Sequence, residues 1–215
     1  MHTPAFFLSA RPFSRRWWAV VVAGGVLVAV AHGLDPIVWQ SLRDARVNDR
    51  DWGRLLRSVG YLPLWMLVAL AFWLHAPSQP DTRRRAGLLL FAPAVSGLVA
   101  ELMKLLVRRL RPHPEQFGYV FRAFGETPFS ATNLGLPSSH VMVAFGGAFA
   151  LACLFPRTRW VWFTLAAGCA LTRVLSLGHF LSDTVAAVVL AWIVVSLLQS
   201  RMPQSDQPEP HGRGV

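Results

Sequence analysis

The sequence predicts an all-α integral membrane protein built as a bundle of six transmembrane helices. Of its 215 residues, 53% are hydrophobic and 15% are charged, whereas average soluble domains carry about 25% charged residues. The apolar residues fall in long blocks, and six blocks approach the roughly 20 residues that a spanning helix needs. This composition excludes a soluble enzyme, a disordered protein and a disulfide-stapled secreted module.

Each apolar block is expected to be a helix, because backbone exposed to lipid must satisfy its own hydrogen bonds. In chain order the predicted spans are Trp17–Leu34, Val59–Ala76, Ala86–Val107, Leu136–Phe155, Trp160–Leu177 and Phe180–Leu198. The chain therefore divides into a basic cytoplasmic N-terminus (1–16), a six-helix membrane domain (17–198) and a disordered, proline-rich tail (199–215).

The first block allows a second interpretation. Three arginines precede it, and it ends in an Ala-Val-Ala stretch (29–31) that resembles a signal-peptide cleavage site. We favour a retained helix, and both interpretations place residue 35 outside the cytoplasm. The segment 35–57, which mixes arginines, aspartates and two tryptophans, predicts a short helix lying at the membrane surface.

The chain is strongly basic, with a formal net charge of +10. Such an excess indicates nucleic acid, anionic lipid or an anionic substrate as the partner. Because apolar blocks flank most of the arginines, nucleic acid is the least favoured of the three. Counting positive charges barely distinguishes the two membrane sides, but the basic loop 83–85 and the pair Trp17-Trp18 favour cytoplasmic termini.

Ionisable residues inside spanning segments are costly and therefore indicate function. In this chain they are concentrated where alternate predicted helices end or begin, which is the outer membrane face. The residues gathered there are Lys104, Arg111, His140, Arg173, His179 and Asp183.

Lys104 and Arg111 are seven residues apart, so they project from the same face of a helix that Pro112 then ends. Two converging cations indicate an anion site, although taken alone the pair is equally consistent with side chains that snorkel at the lipid boundary. For Arg108 and Arg109 we favour snorkelling.

The stretch Pro137-Ser138-Ser139-His140 opens the fourth predicted helix. Proline suits a first helical turn, and the unpaired N–H groups after it can bind an anion. Helix capping alone explains Pro137 and Ser138, but it does not explain a histidine beside them.

His179 and Asp183 stand four residues apart on one helix face, and Arg173 precedes them. A carboxylate in that position can accept from one imidazole nitrogen and leave the other as a nucleophile or metal ligand. One aspartate and two histidines among three cations make a poor cation site and a good phosphate site. The electrostatics therefore favour phosphate, with no metal.

Together, Lys104-x6-Arg111-Pro112, Pro137-Ser138-Ser139-His140 and Arg173-x5-His179-x3-Asp183 resemble the three signature motifs of the type 2 phosphatidic acid phosphatase superfamily. That family includes bacterial undecaprenyl-pyrophosphate and phosphatidylglycerophosphate phosphatases. The sequence departs from the usual motifs at Ser139, where the family has glycine, and at Thr172, where it has serine. Ser139 can still offer its backbone N–H to a phosphate.

The resemblance implies a role for each motif residue. His179 would attack phosphorus to form a phosphohistidine while Asp183 holds its tautomer, and His140 would protonate the leaving oxygen and then activate water. The phosphate-binding residues implied are Lys104, Arg111, Ser138, Ser139 and Arg173. Fixed cations would replace a metal ion, so no cofactor is expected.

The sequence thus predicts a metal-independent hydrolase of a phosphate monoester or pyrophosphate on a membrane lipid, in the bacterial inner membrane with a periplasmic site. The nearby His113 and Arg122 are equally explained as head-group ligands or as surface charge. Two alternatives remain open. The phosphoryl group could pass to an acceptor lipid, or the cations could form the anion site of a non-enzymatic transporter.

Overall fold

The computed structural model describes residues 14–42, 46–75, 77–78 and 80–201, and within these ranges it contains helices but no strand. The helices are α1 (Arg15–Ser41), α2 (Asp51–Ser58), α3 (Leu62–His75), α4 (Pro80–Val107), α5 (Ser139–Leu154), α6 (Arg159–Leu175) and α7 (Leu181–Ser200). Most of the predicted N-terminal region (1–16) and C-terminal tail (199–215) lies outside the described residues.

Helix α1 extends seven residues beyond its predicted end at Leu34. It begins at a cap where Ser14 Oγ accepts from the backbone N–H of Trp17 at 3.2 Å, and it continues through Pro36 to Ser41. Proline has no N–H to donate to the preceding turn. The carbonyl of His32 instead accepts from the hydroxyl of Tyr119 at 3.3 Å, so the proline leaves no orphaned acceptor.

The second span was predicted to begin at Val59, but helix α3 begins at Leu62. Residues 59–61 form a turn between α2 and α3, and the two helices are bent by 63° relative to each other. Gly60 permits the bend, because a Cβ there would lie 2.7 Å from the Cβ of His140. Helix α2 falls within the region where a short surface helix was expected, although the structure does not place it relative to a membrane.

Helix α5 is the centre of the bundle. Every residue from Val141 to Ala152 is buried, and α5 packs against α4, α6 and α7. On a fourth side, the ring of Trp65 from α3 lies directly against Gly147, where any side chain would overlap it. A helix enclosed in this way is apolar all round, which explains why its sequence looks like a membrane span.

The all-helical fold is confirmed, but the count of six spans stays a prediction. Among the described residues, α1, α4 and α7 are long and apolar enough to cross a membrane, and the bent pair α2–α3 would make a fourth span. Helix α5 has only 16 residues, fewer than the roughly 20 that a spanning helix needs. Burial by its neighbours, rather than lipid contact, accounts for its composition.

The long connection between α4 and α5 folds back over the end of the bundle. Arg108, with φ of 60° and only 1% exposure, begins it and donates to the carbonyls of Ala123 (2.9 Å), Arg122 (3.2 Å) and Pro128 (3.3 Å). The loop is thereby gathered around one buried guanidinium. The snorkelling predicted for Arg108 is wrong, because its head group faces loop carbonyls rather than the lipid boundary.

Candidate active site

The predicted site residues lie at one end of the bundle. Lys104 is in the last turn of α4, Arg173 is in the last turn of α6, and the serine–histidine stretch 138–140 opens α5. His179 and Asp183 flank the start of α7. The helix ends converge as the alternation of the segments predicts.

His179 is 2% exposed and is held by the backbone rather than by Asp183 alone. Its Nδ1 lies 2.8 Å from the carbonyl oxygen of Gly135 and 3.7 Å from Oδ2 of Asp183. A carbonyl can only accept, so Nδ1 carries the proton and Nε2 has the free lone pair. A Cβ at Gly135 would lie 3.1 Å from Asp183 Oδ2, which explains why a glycine allows this approach.

Burial lowers the pKa of His179 below its ordinary value, and repulsion by Arg173 and Arg111 acts in the same direction, whereas Asp183 acts in the opposite one. A lowered histidine pKa means that the proton leaves at a lower pH, so the neutral ring persists at neutral pH. Only the neutral ring has a lone pair for attack, and the lowered pKa therefore favours the form of His179 that is able to act as a nucleophile.

Asp183 is fully buried and is bound by Arg109, which pairs with its Oδ1, and by the backbone N–H of Phe180, which donates to Oδ2 at 2.8 Å. The snorkelling predicted for Arg109 is therefore wrong. Its guanidinium turns into the protein and compensates the charge of Asp183. This pairing could not be predicted from the sequence, because Arg109 and Asp183 are 74 positions apart.

Arg109 also connects the site to α1. It donates to Ser182 Oγ at 2.9 Å, and the Ser182 hydroxyl donates to Oδ2 of Asp35 at 2.6 Å. Asp35 is 1% exposed and accepts from Tyr119 as well, at 3.0 Å. Burial and this bond to Asp35 raise the pKa of Tyr119 above its ordinary range. An aspartate at the end of an apolar block was the signal that sequence reasoning left unused.

Three polar atoms near the start of α5 are buried without a hydrogen-bond partner among the described residues. They are Ser138 Oγ, His140 Nε2 and Arg173 Nε. Buried polar groups are nearly always paired, so unpaired ones require an explanation. Gly178 lies against the Arg173 guanidinium, where a side chain would collide with it. The hydroxyl of Ser138 and the guanidinium of Arg173 are groups that can donate hydrogen bonds to an anion.

Lys104 is held by a residue that the motif analysis left without a role. Its Nζ lies 2.9 Å from Oε1 of Glu101 and is bonded to the Ser139 hydroxyl, which itself donates to the same Oε1 at 2.5 Å. The serine that stands where the family usually has glycine thus joins the lysine to the carboxylate. The expected phosphate contact through the backbone N–H of Ser139 stays a prediction.

We expect Glu101→Gln to lower kcat about tenfold, because Lys104 loses a charge-assisted hydrogen bond that fixes its ammonium group. The expected loss is no larger than this because Glu101 is itself half-exposed. Steady-state phosphate release measures this. Asp81→Asn, which removes the exposed Arg85 ion pair at the other end of α4, is the matched control and is expected to keep full activity. Equal kcat in both variants would contradict the role of Glu101.

A cavity of about 850 Å³ opens at this end of the bundle, and its lining is rich in cations but includes neither His140 nor His179. Arg111, predicted as a phosphate ligand, is exposed and lines it together with Arg173 and Gly178. Arg57, which sequence reasoning missed, lines it from α2. Among the described residues no group of three His, Cys, Asp or Glu side chains lies close enough to hold a metal ion.

Comparison with known proteins identifies similar sequences. The sequence profile of the PAP2 superfamily matches residues 85–205, which is more than half of the chain. A lipid A 1-phosphatase of Rhizobium johnstonii is 37% identical over 110 residues, which are 48% of this chain and 43% of that protein. A lipid A 1-phosphatase of Rhizobium etli is 40% identical over 108 residues, 47% of this chain and 44% of that protein.

The matched stretch therefore spans less than half the length of these relatives. No solved structure matches the chain.

Proposed function

Because the chain belongs to the PAP2 superfamily, we propose that it is a membrane-bound lipid phosphatase that acts through a phosphohistidine. The observation that carries this proposal is the environment of His179. The ring is buried and neutral, its Nδ1 proton is fixed by Gly135, and its Nε2 is left for attack. Cations surround it, and they would neutralise the phosphoryl oxygens in the transition state.

In the first step, Nε2 of His179 attacks phosphorus while the bond from phosphorus to the lipid oxygen breaks. His140 donates a proton to that oxygen, so the lipid leaves as an alcohol, or as a monophosphate when the substrate is a pyrophosphate. The imidazole becomes positively charged in the phosphohistidine, and the buried carboxylate of Asp183 at 3.7 Å from Nδ1 stabilises that charge.

In the second step, His140 takes a proton from water, and the oxygen attacks phosphorus on the face opposite His179. The phosphorus–nitrogen bond breaks and inorganic phosphate is released. Lys104, Arg111, Arg173 and the hydroxyl of Ser138 bind the equatorial oxygens in both steps. The unpaired buried atoms of Ser138, His140 and Arg173 support these assignments.

We propose a phosphorylated lipid as the substrate, with its acyl or prenyl chain in the bilayer and its head group in the cavity. The position of the site at the end of apolar helices supports this, as do the two relatives named for dephosphorylation of lipid A. We place the protein in the bacterial inner membrane with cytoplasmic termini and a periplasmic site.

Phosphate release by the purified protein in detergent, with EDTA present, tests this function. The substrates are lipid A, undecaprenyl pyrophosphate, phosphatidylglycerophosphate and phosphatidic acid. We expect release from one or two of them, undiminished by EDTA and blocked by vanadate, which resembles the pentacoordinate transition state. Loss of activity with EDTA would exclude the metal-free mechanism, and a phosphorylated acceptor lipid in place of free phosphate would show transfer instead.

A further inference from the structure

Helix α2 carries an arginine that the three motifs do not include. Arg57 is the penultimate residue of α2 and lines the cavity together with Arg111 and Arg173. Its Nε is buried and has no hydrogen-bond partner among the described residues. Buried guanidinium nitrogens are ordinarily paired. Arg57 therefore has unused donor capacity at the wall of the site.

Arg57 lies close to residues of the predicted site. Arg57 and Arg173 both line the cavity, so their guanidinium charges face the same space. Its guanidinium carbon lies 5.8 Å from the ring centroid of Tyr61, and that ring meets the His140 ring edge-on at 5.0 Å. The Tyr61 ring thus contacts both Arg57 and the imidazole that is proposed to protonate the leaving oxygen.

The cations around the cavity exceed what one phosphoryl group needs. The described lining includes four arginines, one histidine and one exposed glutamate. Arg122 is already committed, since it donates to the carbonyl of Ser130 at 3.0 Å and to that of Thr132. Arg111 and Arg173 alone match the charge of a dianionic phosphoryl group, because Lys104 is already paired with Glu101. Arg57 is an additional cation beside Arg173, and further negative charge in the cavity would reduce their mutual repulsion.

A second polar group lines the same cavity. Asn48 lies on it, and its Oδ1 is buried without a hydrogen-bond partner among the described residues. A carboxamide can accept from a hydroxyl or a protonated phosphate oxygen and can donate to an ionised one. Asn48 and Arg57 together therefore offer both kinds of hydrogen bond to a polar, anionic head group.

We propose that Arg57 and Asn48 form a head-group subsite that binds a second phosphoryl group of the substrate, beside the one that is hydrolysed. This inference rests on the proposed lipid phosphatase function. The second group is either bonded directly to the first, as in a lipid diphosphate, or carried elsewhere on the same head group. Arg57 is then a specificity-determining residue outside the three motifs.

The test compares Arg57→Gln with the native protein on a polyprenyl diphosphate and on the monophosphate of the same lipid. Loss of a charge-assisted contact is expected to lower kcat/KM for the diphosphate about tenfold to hundredfold. The value for the monophosphate should change by less than about threefold, because it has no group to place there. Arg57→Lys, which keeps a cation, should recover part of the difference.

Arg54→Gln is the matched control, because Arg54 lies on the same short helix but pairs with the exposed Asp51 outside the cavity. It is expected to leave both values unchanged. An equal loss on the two lipids in Arg57→Gln would overturn the subsite, since Arg57 would then act on the scissile phosphoryl group or on folding. No selective loss on this lipid pair or on the disaccharide pair described below would overturn it as well.

A second lipid pair distinguishes a directly bonded second phosphoryl group from one carried elsewhere on the head group. This pair is a disaccharide lipid with two separate phosphate monoesters and the same lipid with only one. Selective loss on this pair alone would place the second phosphoryl group elsewhere on the head group.

Calorimetric binding of inorganic pyrophosphate and of phosphate requires no turnover. The native protein should prefer pyrophosphate, and Arg57→Gln should lose that preference. Absence of a preference in the native protein, together with no selective loss on either lipid pair, overturns the subsite, whereas absence of any phosphate release contradicts only the proposed function.

Discussion

His179→Ala is expected to release no phosphate from any lipid and to form no phosphoenzyme. The variant lacks the nitrogen that bonds to phosphorus, and no other described histidine has a ring held as this one is by Gly135 and Asp183. Removing a nucleophile that acts together with its partners typically costs at least about 10⁴-fold in rate. The prediction is checked by exposing the protein briefly to radiolabelled substrate and then measuring the acid-stable and the acid-labile label on the protein.

His140→Ala separates the two histidines. With an aryl phosphate, whose leaving oxygen needs no proton, this variant should still phosphorylate His179 but hydrolyse the phosphohistidine slowly, because water lacks its base. Label should therefore accumulate in His140→Ala and be absent in His179→Ala. Persistent label in His179→Ala would remove His179 from the nucleophilic role.

Arg109→Met is expected to destabilise the protein by about 3–5 kcal/mol and to reduce activity to background. The substitution leaves the carboxylate of Asp183 buried without its cation and deprives Ser182 of a hydrogen bond. A protonated or displaced Asp183 no longer stabilises the charged imidazole. Thermal unfolding in detergent and phosphate release measure the two effects.

Arg108→Met is the matched control, because Arg108 is the adjacent residue and equally buried but donates to loop carbonyls. We expect it to lower stability while retaining much more activity in the folded protein. The double variant Arg109→Met/Asp183→Asn should lose less stability than the sum of the losses in the two single variants, because the second change removes the unpaired charge. Strict additivity would show that the ion pair contributes nothing.

The sequence predicted an all-helical fold because its apolar residues form continuous blocks, and it predicted which residues lie close together because three motifs keep their internal spacing. Those motifs are local, so Lys104 with Arg111, or His179 with Asp183, can be placed on one helix face from spacing alone. The ends of α1 and α3 were placed less well. Pro36 and the turn at residues 59–61 are tolerated through tertiary contacts with Tyr119 and His140.

The residues that hold the site could not be predicted in the same way. Arg109 and Glu101 act through partners on other helices, and pairings across 74 or 38 positions leave no trace in a single sequence. A charge next to an apolar block is compatible with snorkelling, with a buried ion pair and with a ligand contact. Only the packing of the helices decides between them.

The hydrogen bond between Ser182 and Asp35 shows that the candidate active site is supported from outside the three motifs. The matched family segment begins at residue 85, yet Asp35 holds the serine that shares Arg109 with Asp183, and it does so from α1. Helix α1, which is long and apolar enough to cross a membrane, therefore also supports the candidate active site. Under the proposed mechanism, docking of α1 is a condition for a competent nucleophile, so a chain whose first helix is not docked would hold all three motifs and still lack a finished active site.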